Sequence, residues 1–227
     1  MLTLSPDKRV IKIRALTASG SSPITVEGCT ETALNNYGDT VLHATGTTVI
    51  LKGNITRLFC VGDTFDSNKL TALNVQGLPD FELLDCRNNN LTSLDVHGLT
   101  SLKTLDCAGN IELSVLNIQG AAALEELSFG GKITTLNVQG LPALRYLNCS
   151  NNQLNAEAMR TLLTGLPQRQ ASDYAGCVLY NVDSGEGNHK DFTSASADTA
   201  LKQAFDKAKI EKHWKMYKRI GNNNEAI

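Results

Sequence analysis

The chain has 227 residues, of which 41% are hydrophobic, 19% charged and 5% aromatic, so a polar disordered chain is excluded and the core must be aliphatic. The formal net charge of -2 excludes a generally basic nucleic-acid binder, and the short apolar runs predict no membrane span. The first residues, MLTLSPDKRV, lack the basic and apolar regions of a signal peptide, so the protein either stays in the cell or this chain starts after such a signal.

Short β-patterned runs, separated by Gly, Ser, Pro and Asn clusters, come first along the chain. They cover residues 9–14, 24–28, 40–44 and 48–53. Because an open stack of repeats must shield its terminal coil from water, we expect residues 1–54 to form an N-terminal β cap.

The middle of the chain is repetitive. Segments from Leu70 and Leu91 read LTALNVQGLPDFELLDCRNNN and LTSLDVHGLTSLKTLDCAGNI, with a period of 21 residues. Further copies start at Leu113 and Ile133, and the coil is one residue short and lacks its Asn at residues 129–133. Apolar residues in each copy follow one another at intervals of three, two and three residues. This spacing fits neither a continuous helix nor an alternating strand, so we expect one short strand per coil.

The segment from Phe81 to Leu91 has the pattern L-x-x-L-x-L-x-x-N-x-L, which recurs from Leu102 and from Leu144. At these residues the sequence resembles the leucine-rich repeat family, and the second half of each copy resembles the short repeats of internalin-type bacterial surface proteins. The resemblance implies an α/β solenoid over residues 55–155: a right-handed leucine-rich-repeat solenoid with a parallel β-sheet.

Three residue types recur at equivalent positions of the coils, each with a structural role. Asn can satisfy backbone groups at the turn after the strand, Gly allows positive φ at the opposite turn, and Cys fills the inward strand position. These residues are Asn89, Asn110 and Asn152; Gly77, Gly98, Gly120 and Gly140; and Cys60, Cys86, Cys107 and Cys149, with Phe129 in the remaining coil. We expect free buried thiols because in-register parallel side chains suit a disulfide poorly, and a bridge between Cys29 and Cys177 stays open.

Residues 156–227 predict a mixed α/β cap. Its predicted elements are a helix over 156–164 with Asn155 as N-cap, a strand over 177–182, a helix with Ser196 as N-cap, and an edge strand over 213–218. The acidic, Gly-containing stretch 183–188 lacks the spacing of an EF-hand, so we expect a solvated turn. Residues 202–220 hold seven basic and two acidic residues, which favours a solvated face over a surface for an anionic glycan, nucleic acid or protein.

The sequence contains none of the common catalytic or nucleotide-binding motifs, and its four His residues are dispersed. We therefore expect no enzyme, no catalytic residue, no cofactor and no metal site. The candidate binding surface is the outward side of the strands, because the alternation that turns Leu84 and Cys86 inward turns their neighbours outward. These candidates are Arg57, Phe59, Leu83, Asp85, Arg87, Thr104, Asp106, Glu126, Tyr146 and Asn148.

Asp85 and Asp106 should lie side by side and repel each other unless Arg57 and Arg87 neutralise them. A paired-carboxylate glycosidase needs a cleft, and we expect a nearly flat face that has none.

The resemblance implies an extracellular or cell-surface protein that binds a protein partner or a glycan through this face. A cytoplasmic location stays open, and the sequence does not set the oligomeric state. Two alternatives also stay open: a spacer in a larger surface assembly with no ligand of its own, and a carbohydrate-binding accessory protein.

Overall fold

The structure is a computed structural model that describes residues 1–7, 9–18, 23–35, 38–62, 70–194 and 197–227. Within these residues the fold is mostly β-sheet. The strands are β1 (Leu2–Leu4), β2 (Val10–Thr17), β3 (Thr25–Glu27), β4 (Thr40–His43), β5 (Thr48–Lys52), β6 (Ile55–Phe59), β7 (Leu70–Leu73), β8 (Leu83–Asp85), β9 (Ser93–Asp95), β10 (Thr104–Cys107), β11 (Val115–Asn117), β12 (Glu126–Phe129), β13 (Tyr146–Asn148), β14 (Gly176–Asn181), β15 (Lys215–Ile220) and β16 (Asn223–Ala226). The helices are α1 (Ala156–Gly165) and α2 (Thr199–Asp206), with a 3-10 turn over Ala171–Asp173 and a π-helical turn over Lys207–Glu211.

The main sheet has the order β16-β15-β14-β13-β12-β10-β8-β6-β2-β4. All neighbours from β6 to β15 are parallel, whereas β2, β4 and β16 pair antiparallel at the two ends. The inward residues of the parallel strands are in register, buried, and form one column: Leu58, Leu84, Leu105, Leu127, Leu147 and Cys177. This β-rich arrangement of parallel strands is consistent with a solenoid-like fold.

Two smaller sheets accompany the main one. One has the order β3-β5-β1-β7 and is antiparallel, and the other pairs β9 with β11 in parallel. The prediction of one strand per coil is therefore wrong for the coils that start at Leu70, Leu91 and Leu113, each of which holds two strands because its first half also pairs with a neighbour. The four β-patterned runs near the start of the chain correspond to β2, β3, β4 and β5, whereas β1 was not predicted. Because β1 pairs with β7 through Leu2 and Leu73, the first residues are hydrogen-bonded to the first repeat.

The recurrent Asn and Gly residues have the predicted structural roles. Asn110 donates through Nδ2 to the Cys86 and Cys107 carbonyls at 3.0 and 2.9 Å, and its Oδ1 accepts from Leu91 N at 3.0 Å. Asn89 makes the same set one coil earlier. The four recurrent glycines have φ values from 70° at Gly98 to 86° at Gly140, a region that disfavours a side chain.

The ladder of Asn side chains is interrupted at the short coil, where Gly130 and Gly131 replace the expected Asn. A Cβ on Gly131 would lie 2.5 Å from the Asn110 carbonyl oxygen, so only glycine fits this close approach. One coil later, Asn152 still donates to the Phe129 and Cys149 carbonyls, but its buried Oδ1 accepts no hydrogen bond. The missing residue therefore leaves one buried acceptor unsatisfied.

The C-terminal cap partly matches the predicted elements. Asn155 Oδ1 accepts from Ala158 N at 2.9 Å and caps α1, as predicted. Ser196 lies outside the described residues, and the residue that caps α2 is Asp198, which accepts from Leu201 N at 2.8 Å. The prediction of an edge strand over 213–218 is wrong, because β15 lies between β14 and β16 and the edge is β16.

The predicted solvated turn over 183–188 is wrong at its C-terminal end. Asn188 is buried, donates to the Cys149 and Leu179 carbonyls at 2.8 and 2.9 Å, and accepts from Leu154 N at 2.9 Å. It continues the Asn ladder beyond the last repeat. Glu186 accepts from the backbone N–H groups of Asn151, Asn152 and Asn181, and burial raises its pKa.

The six cysteines are free, and all except Cys29 are buried, so no disulfide joins Cys29 to Cys177. Nothing among the described residues groups three or more His, Cys, Asp or Glu side chains in a way that could hold a metal ion. Neither described α-helix has both the length and the apolar character that crossing a bilayer requires.

Candidate functional site on the outward sheet face

Strand pairing places nine of the ten candidate residues on one side of the main sheet, which we call the outward face. The outward side chains form two rows that run across the strands, and the second row lies two residues further along each strand. The parallel pairing holds both rows in register. The first row is Arg57, Leu83, Thr104, Glu126 and Tyr146, and the second is Phe59, Asp85, Asp106, Ser128 and Asn148. Arg87 follows β8 and lies against the second row.

The two neighbouring aspartates share one arginine. Arg87 donates to both oxygens of Asp85, from Nε at 2.9 Å and from Nη2 at 2.8 Å, and its Nε also lies 3.4 Å from Asp106 Oδ2. Burial raises the pKa of Asp106 to about 6, although the Ala108 N–H and Arg87 oppose this and Asp85 adds to it. Asp106 therefore keeps its proton to a higher pH than an ordinary aspartic acid.

Of the two arginines expected to neutralise the aspartates, Arg87 contacts them and Arg57 does not. The Nη2 of Arg57 lies 3.2 Å from Glu82, which also accepts from Lys103 at 3.1 Å. Arg145 similarly bridges Glu125 and Glu126. These pairs connect successive coils along one margin of the outward face, and their exposure limits what each adds to stability.

The expectation of a flat face without a cleft is wrong. A cleft of about 450 Å³, here called the N-terminal cleft, opens where the cap meets the first parallel strands. Its lining residues are Lys12, Arg14, Asp39, Phe59, Val61, Asp85 and Arg87. The wall exists because β2 pairs antiparallel with β6 and extends the sheet, so that Arg14 is directly opposite Phe59.

Sequence reasoning missed the three charged lining residues that the cap contributes: Lys12, Arg14 and Asp39. The alternation in RVIKIR would have turned Lys12 and Arg14 away from the buried Ile11 and Ile13. Their proximity to Phe59, however, depends on a pairing between strands some forty residues apart, which the local pattern does not specify.

The other end of the outward face is partly covered by the C-terminal cap. Gly176 follows Tyr146 in register, and a Cβ there would lie 3.3 Å from the Tyr217 ring and 4.0 Å from the Tyr146 ring. Val178, in register with Asn148, is fully buried. Burial raises the pKa of Tyr146, and a hydrogen bond with Asn224 opposes the rise. The aromatic side chain at this end is therefore already packed within the chain.

A second cavity of about 330 Å³ lies near this covered end. Its lining is mixed: apolar Ala108, Ile111 and Phe129, three glycines, polar Asn148, Ser150 and Asn151, and basic Arg219. Arg219 Nε donates to the Gly221 carbonyl at 3.2 Å, within its own hairpin.

No protein-family model matches this chain, and no curated protein matches it. A solved structure to which it is similar is the functional domain of InlJ from Listeria monocytogenes, which includes a cysteine ladder. The identity is 22%, the match covers 57% of this chain and 41% of the listerial chain, and the TM-score is 0.19. The chain thus spans less than half of that protein in the match, and the description of the fold rests on the strand pairing alone.

Proposed function

We propose that this chain is a non-enzymatic binding module, built as a right-handed leucine-rich-repeat solenoid, that binds a partner protein through its outward face. The observation that carries the proposal is the N-terminal cleft, which joins a half-buried aromatic ring, Phe59, to a continuous in-register stripe of charged and apolar side chains. Arginine and aromatic side chains in a concave, partly desolvated site are typical anchors of protein interfaces.

The paired carboxylates favour binding over catalysis. Because both oxygens of Asp85 accept from Arg87, this carboxylate is held as one partner of a bidentate ion pair and is not free to contact a substrate. Asp106 would then act alone, and hydrolysis of a glycosidic bond by the usual route requires two available carboxyl groups. The repeat resemblance supports a location on or outside a bacterial cell, where such modules engage other proteins.

A displayed library of random peptides tests the proposal. Peptides selected on the wild-type protein should bind Phe59→Ala and Thr104→Arg at least about tenfold more weakly, since the first removes an anchor and the second places a large cation in the stripe. The matched control is Val115→Ala, which changes an exposed apolar side chain on β11, outside the outward face.

Three outcomes would contradict this function. Selected peptides that bind both face variants as tightly as the wild type would place the binding surface elsewhere. A library that yields no specific peptide would favour the spacer. Enrichment on a glycan array that these same two substitutions abolish, with no peptide enrichment, would instead favour the carbohydrate-binding protein.

A further inference from the structure

Arg14 is a partly buried cation that contacts no carboxylate among the described residues. Its Nε is buried and donates no hydrogen bond, and Arg14 forms no ion pair in the part of the chain that the structure describes. Lys12 and Arg57, in contrast, lie 2.8 and 3.2 Å from the carboxylates of Asp39 and Glu82. A buried Nε–H that lacks an acceptor is costly, and an anion that accepts from the Arg14 guanidinium would relieve part of this cost.

The charges that line the N-terminal cleft set the charge of the anion. Among the described lining residues, three basic side chains, Lys12, Arg14 and Arg87, face two carboxylates, those of Asp39 and Asp85, an excess of one positive charge. Asp106, which also contacts Arg87, lies outside this lining. The Asp39 carboxylate is close enough to Arg14 for the guanidinium to lower its pKa, although the hydrogen bond from Lys12 contributes most. A singly charged anion balances this cleft, whereas a doubly charged phosphate would face two fixed carboxylates.

The geometry favours a carboxylate attached to an apolar body. The Arg14 guanidinium carbon lies over the Phe59 ring, 4.4 Å from its centre, and this cation–π contact favours a fixed position of the guanidinium. A planar carboxylate can accept two parallel hydrogen bonds from such a group. Phe59 and Val61 supply an apolar wall for methylene groups next to the carboxylate.

We propose that the N-terminal cleft binds an acidic side chain from an extended segment of the partner protein, with Arg14 as the receptor of its carboxylate. This inference rests on the proposed function and specifies the chemistry of its partner. A peptide fits better than an acidic sugar because the apolar wall beside the cation suits the aliphatic stem of Glu and an apolar neighbour.

Two end-blocked peptides provide the probe: one with Leu-Glu-Leu between flexible Gly/Ser arms, and the same peptide with Leu-Gln-Leu. The Glu peptide should bind the full chain at least about tenfold more tightly than the Gln peptide and should shift the Arg14 Nε–Hε resonance in NMR titrations. Arg14→Gln should abolish this preference, and Arg14→Lys should keep part of it because the charge remains but the bidentate geometry is lost. Arg145→Gln is the matched control, since Arg145 already contacts Glu125 and Glu126.

Equal affinity for the two peptides would overturn the inference, as would unchanged binding of the Glu peptide to Arg14→Gln. Tighter binding of glucuronate than of the Glu peptide would instead assign the cleft to an acidic sugar. The proposed function is tested separately from this inference. If Thr104→Arg weakens the binding of the library peptides and Arg14→Gln does not, the outward face still binds a partner and only the carboxylate site is refuted.

Discussion

Replacement of Asp106 by Asn is expected to stabilise the protein at and above neutral pH. In the fold, burial raises the pKa of Asp106 from its ordinary value of 3.8 to about 6. Between these two values the native state keeps a proton that the unfolded chain has released, so the free energy of unfolding falls as the pH rises. The loss is complete once the pH exceeds the folded pKa.

The size of the effect follows from the difference between the two pKa values. About two pH units correspond to about 3 kcal/mol in the free energy of unfolding. The side chain of Asp106 is 27% exposed, so most of this penalty is retained in the native protein. Asn keeps the shape, and its Oδ1 can still accept from the Ala108 N–H, which Asp106 binds at 3.1 Å. The 3.4 Å contact with Arg87 is weakened, which makes 3 kcal/mol an upper bound.

Urea unfolding followed by circular dichroism at about pH 4 and about pH 8 measures this effect, because the penalty is absent at the lower pH and complete at the higher. Asp106→Asn should match the wild type at the lower pH and exceed it at the higher. Asp95→Asn is the control, because exposed Asp95 accepts a similar bond from His97 N, two residues on. Equal stability of Asp106→Asn and wild type at the higher pH, or a gain that is independent of pH, would refute the reasoning.

Three further predictions concern the repeat scaffold. Asn110→Ala should lower the free energy of unfolding by about 3–5 kcal/mol, because three buried hydrogen bonds are lost. Asn152→Ala should lower it by less, because the Oδ1 of Asn152 accepts no hydrogen bond. Equal losses for the two variants in urea unfolding would contradict this prediction. Gly131→Ala should lower the melting temperature more than Gly98→Ala. The new Cβ would lie 2.5 Å from a carbonyl oxygen at residue 131, whereas it would meet open space at residue 98. The reverse order of melting temperatures would be inconsistent with this packing. A thiol reagent should label Cys29 of the native protein quickly and the five buried thiols only on unfolding; rapid native labelling of two or more would be evidence against the buried column.

The repeat predicted the centre of the fold well, because each coil carries the information for its own pairing. Copies that start at Leu70 and Leu91 have the same length, so successive strands must pair in parallel with equivalent residues side by side. The inward positions of Leu84 and Cys86 and the buried role of Asn110 followed directly from this periodicity, and the structure confirms each of them.

The parts that the sequence did not predict depend on contacts outside the repeat. β16 has the sequence NNEA, which has little intrinsic preference for a strand and pairs with β15 because the turn at Gly221 reverses the chain. Asn188 takes the place of a repeat Asn, but its partner Leu154 lies 34 residues earlier, compared with 19 for Asn110 and Leu91. The N-terminal cleft was missed for the same reason, since Arg14 reaches Phe59 only through long-range pairing. The binding roles of the ten outward residues are still predictions.

The separation of two unlike ends by near-identical middle coils has a consequence for how such a chain can grow. Each inner strand of the main sheet pairs only with its two immediate neighbours. An additional 21-residue unit inserted between β8 and β10 would therefore have a repeat coil on each side, as the present coils do. Every such insertion would lengthen the sheet by roughly 4.8 Å and leave unchanged the N-terminal cleft at one end and the hairpin of β15 and β16 at the other. Insertion or deletion of whole repeats would therefore change the distance between the two ends in fixed steps, without any change to the residues of either end.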